Sequence, residues 1–140
     1  MHDRDKMTDN EISIPPAPPT GHQGFAHDLA GVDWVQVQNE LQGLDVIGRL
    51  PQRRQLSKDF FWYSPALTEL LADCVADIVV RVGTEDDVRQ VVQVVARHKL
   101  PFTVRAGGTG NYGQCVPLNG GIVMEVGGLA RVLDIQPGRV

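Results

Sequence analysis

The chain has 140 residues, 42% of them hydrophobic and 21% charged, a composition of about one globular domain that excludes wholesale disorder, collagen-like sequence and a disulfide mini-protein. Lys and Arg number 13 against 17 Asp and Glu, a net charge of −4; no basic patch grips phosphate backbones, so nucleic acid is not an expected partner. No apolar run is long enough for a transmembrane segment, Met1 to Asn10 lacks a signal-type apolar core, and Cys74 and Cys115 stand in no metal-type spacing, which suits free thiols in the reducing cytoplasm.

Residues 1–30 read as a disordered leader. Ile14 to Gly21 holds four of the nine prolines, a composition that favours an extended polyproline II backbone and buries little. A PxxP ligand for an SH3-type module is the functional alternative, and nothing else in the arm supports it. His2, His22 and His27 have no ligand spacing, and no metal is expected.

Residues 31–71 read as a helical N-terminal extension. Asp33 can cap a helix in which Trp34, Val37, Leu41 and Leu44 recur at helical spacing. Asp45 to Leu50 is too short to assign, and Arg53-Arg54 is most simply a solvated loop. Phe60-Phe61-Trp62-Tyr63 holds half of the eight aromatic residues, to be packed in a core or a docking seam; the alternative is a surface that stacks on a ring. Ser64-Pro65 supplies a cap and a first-turn proline for a short helix carrying Leu67, Leu70 and Leu71.

From Asp77 the punctuation becomes regular. Ile78 to Val82 is a β-branched run and predicts a strand. Thr84 and Asp87 have capping-box spacing, and Glu85 to Asp87 suit the positive end of a helix. Val88, Val91, Val92 and Val95 make one apolar stripe, and Arg97 to Lys99 suit the last turn, where His98 reads as a dipole partner rather than a base. Pro101 stops the helix and Phe102 to Arg105 is a second strand, so the segment is a βαβ unit with a parallel pair. Gly121 to Val126 predicts a third strand, Arg131 to Ile135 a fourth, and Arg139-Val140 the start of a fifth. A strand cut at its start leads to the expectation that the sequence is the N-terminal part of a longer protein or a product of premature termination.

Between the second and third strands lies Arg105-Ala106-Gly107-Gly108-Thr109-Gly110-Asn111-Tyr112-Gly113-Gln114, with four glycines in seven positions. Glycine admits positive φ and close ligand approach, and successive bare N–H groups make a nest for an anion, most often phosphate; a flexible connection without a ligand is the plain alternative. The P-loop pattern GxxxxGK[ST] fails because Gln114 stands where lysine must supply charge. The dinucleotide pattern GxGxxG is met literally by Gly108, Gly110 and Gly113, but Pro117 and Gly120-Gly121 forbid the helix that must follow.

The stretch from Ala72 to Val140 resembles the FAD-binding domain of the vanillyl-alcohol oxidase/p-cresol methylhydroxylase (PCMH-type) superfamily, lactate/glycolate dehydrogenase-like branch. The likeness is carried by Ile78 to Val82, Thr84-Glu85-Asp86-Asp87-Val88, Pro101 to Arg105, the loop itself, Pro117, Gly120 to Met124, and Leu129 to Ile135. It implies an α+β fold: a small βαβ-containing mixed sheet, the first subdomain of such a domain, truncated at 72–140. It also implies FAD held at the diphosphate by Ala106, Gly107, Gly108, Thr109, Gly110 and Asn111, with Gly113 and Gln114 continuing the wall and Arg105 either facing the cofactor or bracing the loop. A berberine-bridge-like branch attaches flavin through a histidine at the position of Thr109; threonine implies non-covalent FAD. The implied activity is that of a flavin-dependent oxidoreductase acting on a 2-hydroxy acid or related alcohol bound by a missing C-terminal part. The alternative is a truncated, non-catalytic nucleotide-binding or interaction module, and no catalytic residue is assigned.

Overall fold

A computed structural model describes residues 29–138. The leader up to residue 28, with its prolines and three histidines, and the strand expected to begin at Arg139 lie outside the described residues.

Local signals account for most elements. Helix α1 (Trp34–Glu40) starts at Asp33, whose carboxylate accepts the Gln36 N–H at 3.0 Å. Helix α2 (Leu50–Leu56) has a proline in its first turn. A single 3₁₀ turn (Phe61–Tyr63) leads into α3 (Pro65–Leu71), capped by the Ser64 hydroxyl. Helix α4 (Glu85–His98) opens on the complete capping box of Thr84 and Asp87 and ends at Lys99, whose φ of 52° is left-handed. Its buried line is centred on Val91 and Val94 with Val88 and Val95 flanking, whereas Val92 is exposed. The expected stripe was thus rotated, because the 3.6-residue turn puts Val94 rather than Val92 against the sheet.

The sheet has four strands: β1 (Asp45–Ile47), β2 (Ile78–Arg81), β3 (Phe102–Arg105) and β4 (Ile122–Glu125), in spatial order β1-β2-β4-β3. The unassigned segment after α1 is therefore a strand, antiparallel to β2 with Val46 opposite Val80. The other strands run parallel, but β2 and β3 are not neighbours; β4 lies between them, with Val79 opposite Val123 and Val104 opposite Met124. The reason is burial on both faces. Ile78, Val80, Ile122 and Met124 pack under α1 and α4, while Val79 and Val123 pack with Ile47, Ala76 and Leu56 on the opposite face. The unbroken apolar run of β4 suits the centre, and β3, with Thr103 and Arg105, suits the edge.

Two further expectations are corrected. Arg131 to Ile135 forms no strand: Val132, Leu133 and Ile135 are 71%, 77% and 75% exposed, and no described strand lies beside them to complete a ladder. Arg53 is not in a solvated loop. It lies in α2, only 3% exposed, donating to the Gly48 carbonyl at 2.9 Å and the Ala76 carbonyl at 2.7 Å. Burial lowers its pKa, a pull opposed by the charge of Asp77. Asp77 in turn accepts the Gly121 N–H at 2.7 Å and ties the start of β4 to that of β2. These bonds satisfy a charge that burial would otherwise make costly.

Candidate functional site

Because β2, β4 and β3 are parallel, their carboxyl ends share one edge, and the glycine-rich segment leaves β3 at that edge. In open α/β sheets ligands bind outside the carboxyl ends of the strands.

The loop is held from beneath by residues of the N-terminal segment. Arg105 Nη1 donates to the carbonyls of Leu56 at 3.2 Å and Lys58 at 2.6 Å and lies 3.7 Å from Cys115 Sγ. A Cβ on Gly108 (φ +65°) would fall on the Arg105 guanidinium, so the backbone rests directly on that cation and needs glycine. Arg105 therefore braces the loop, and its buried Nε has no partner among the described residues. Asp59, almost fully buried, takes the Phe61 N–H on Oδ1 at 2.9 Å and the Gly113 N–H on Oδ2 at 2.8 Å. The Phe60 N–H donates to the Gly110 carbonyl at 2.8 Å. Gly113 (φ +79°) lies against Leu71, whose Cδ1 would be 2.5 Å from an added Cβ. Gln114 Oε1 accepts the Tyr112 N–H at 3.0 Å.

These contacts divide the segment. Gly113 spends its N–H on Asp59, and Gln114 spends its side chain on Tyr112. The N–H groups of Gly107, Gly108, Thr109, Gly110 and Asn111 meet no acceptor among the described residues. Ala106, Gly107, Thr109 and Asn111 are exposed, and Gly108 and Gly110 half-buried. Five consecutive amides are thus unpaired, and at Gly108 the backbone lies against the Arg105 guanidinium, donor chemistry of the kind an anion nest uses. Cys115 is buried below the loop; burial pushes its thiol pKa up, and Arg105 opposes the shift. No metal-type cluster of His, Cys, Asp and Glu occurs among the described residues.

Sequence reasoning missed Asp59, Arg53 and the Leu56 and Lys58 carbonyls. None lies in a local motif; each acquires its role from a partner 23 to 54 residues away.

Comparison with known proteins bears on the domain and the fold. Residues 76–140 match the family model described as FAD binding domain. Two crystal forms of an alkyldihydroxyacetonephosphate synthase share the fold, with TM-scores of 0.63 and 0.62 at 12% and 13% identity, over 94% and 89% of this chain. The chain spans only 26% and 23% of those chains. A comparison with curated proteins finds no match. The fold is thus one shared with these structures, and the match of residues 76–140 supports FAD as the ligand. The site fits the group: a diphosphate is a compact dianion, and the loop offers it unpaired N–H groups, no side chains at its glycines and a cation behind the backbone.

Proposed function

We propose that the loop from Arg105 to Gln114 binds the diphosphate of a non-covalently held FAD and that the chain is one wall of a flavin-dependent oxidoreductase. The observation that carries this reading is the run of five unpaired amides, Gly107 to Asn111, with the Arg105 guanidinium against the backbone at Gly108. Ala106 and the Thr109 hydroxyl lie on the same exposed stretch and complete the contact. Flavin, when bound, supplies the redox chemistry; this chain's residues orient it and neutralise its phosphates. Non-covalent attachment rests on Thr109, which has no imidazole to form a histidyl link.

The narrower proposal, oxidation of a 2-hydroxy acid or related alcohol, rests on the likeness of residues 72–140 to the lactate/glycolate dehydrogenase-like branch and requires a longer protein to supply the substrate site. The two free thiols, Cys74 and Cys115, support a cytoplasmic location. No described helix is long and apolar enough to cross a membrane.

The test is titration of the chain with FAD, followed by flavin fluorescence and by competition with pyrophosphate. Saturable binding that pyrophosphate displaces, with all flavin released on acid denaturation, is the expected result. A folded chain that binds neither FAD nor pyrophosphate would falsify the reading.

A further inference from the structure

The residues that clamp the loop also carry the most exposed aromatic pair of the described chain. Trp62 and Tyr63 are 59% and 70% exposed, with ring centroids 4.1 Å apart and planes inclined by 20°. Their neighbour Phe61 fills the small core with Leu71 and Val116, and that core closes without them. Two large rings left in water lose the gain of burial, and a rigid exposed aromatic surface is a recognition feature.

The pair is fixed in place. The Phe61 N–H is held by Asp59, the Ser64 N–H bonds the Phe61 carbonyl at 2.9 Å, and the Ser64 hydroxyl caps α3. It is also fixed to the loop. Phe60 bonds the Gly110 carbonyl, and Asp59 bonds Gly113, so Trp62 stands two residues beyond a direct bond to the loop. Two residues of chain span at most about 7 Å. The indole is thus tethered close to the loop on which the phosphates would rest.

We infer that the Trp62–Tyr63 pair is a stacking platform for a planar heteroaromatic ring of the dinucleotide whose diphosphate the loop holds. This rests on the reading under Proposed function. The chemistry required of the ligand is a planar heteroaromatic ring joined to a diphosphate, met by the adenine or by the isoalloxazine of FAD. Stacking costs the protein little ordering, because the two rings already lie face to face on a hydrogen-bonded turn.

Trp34 and Trp62 are the two tryptophans, and Trp34 is half-buried on α1, so a Trp34→Phe background leaves Trp62 as the sole indole reporter. The experiment titrates that protein, and its Trp62→Ala and Tyr63→Ala derivatives, with FAD, ADP and pyrophosphate. The expected result is quenching of Trp62 emission by FAD, FAD affinity weakened roughly tenfold by Trp62→Ala, partial recovery in Trp62→Phe, and pyrophosphate affinity unchanged. Quenching by ADP as well identifies the adenine as the stacked ring; quenching by FAD alone identifies the isoalloxazine. Pyrophosphate-displaceable FAD binding with no Trp62 quenching, and with equal affinity in both alanine variants, overturns the platform and leaves the loop reading standing. Loss of FAD and pyrophosphate binding in every folded variant overturns both.

Discussion

Asp59 and Gly113, 54 residues apart in the chain, meet through a 2.8 Å hydrogen bond from the glycine N–H to the aspartate carboxylate. The bond joins the N-terminal segment to the glycine-rich loop at the point where the loop turns back toward the sheet. The same carboxylate holds the Phe61 N–H, so one buried side chain sets both the loop and the aromatic turn.

Replacing Asp59 by Ala strands both N–H groups, and burial of unpaired donors costs about 2 kcal/mol or more. Urea denaturation should show a lower midpoint for Asp59→Ala and weaker FAD binding. Asp59→Asn keeps one acceptor oxygen and should lie between wild type and Ala. A wild-type midpoint for Asp59→Ala would show that the clamp contributes nothing.

Gly108 and Gly43 separate steric fit from backbone freedom. Both have positive φ, +65° and +90°, but an added Cβ meets the Arg105 guanidinium at Gly108 and open space at Gly43. Gly43→Ala should cost about 1 kcal/mol or more in melting experiments, the cost of an L side chain at left-handed φ, and leave FAD affinity intact. Gly108→Ala should cost more and abolish saturable FAD binding. Equal effects of the two variants on binding would remove Gly108 from the site.

Glu40 links α1 to the end of α4 through His98 Nε2 at 3.1 Å and through Arg97. The His98 hydrogen bond leads the contacts that hold the Glu40 carboxyl below its ordinary value. A folded pKa below the unfolded one stabilises the protein above the unfolded value, about 4.3, and the contribution is lost as pH falls through the folded value. The stability difference between wild type and Glu40→Gln should therefore be present at pH 7 and shrink as pH falls below about 4.3. A difference that is constant across that range would assign it to packing.

The Thr84 capping box behaves alike on the acid side. The Gly83 N–H and the Thr84 contacts lower the Asp87 pKa, so its contribution too disappears at low pH. Thr84→Ala removes one of the two reciprocal bonds and should cost about 1 kcal/mol at neutral pH, read from thermal melts.

Burial makes Cys115 slow to react. Its thiol pKa is raised by desolvation, and the residue is buried beneath the loop. Iodoacetamide at pH 7.5 should label it only after denaturation. Rapid native labelling would show that the loop opens.

The elements legible in the sequence were those encoded by near neighbours. Asp33, Ser64 and Thr84 cap helices within three residues, and the β-branched run of β2 and the apolar run of β4 announce strands. Those signals act over one turn or one strand, so a linear reading captures them. Tertiary structure alone decided what depends on distant partners. It inserted β4 between β2 and β3, added β1 to the edge, buried Arg53 on the Ala76 carbonyl, and brought Asp59, Leu56 and Lys58 under the loop. It also left Arg131 to Ile135 without a ladder. A strand's place, and a buried charge's tolerance, depend on which surfaces and carbonyls the rest of the chain brings to them, and no local pattern carries that information.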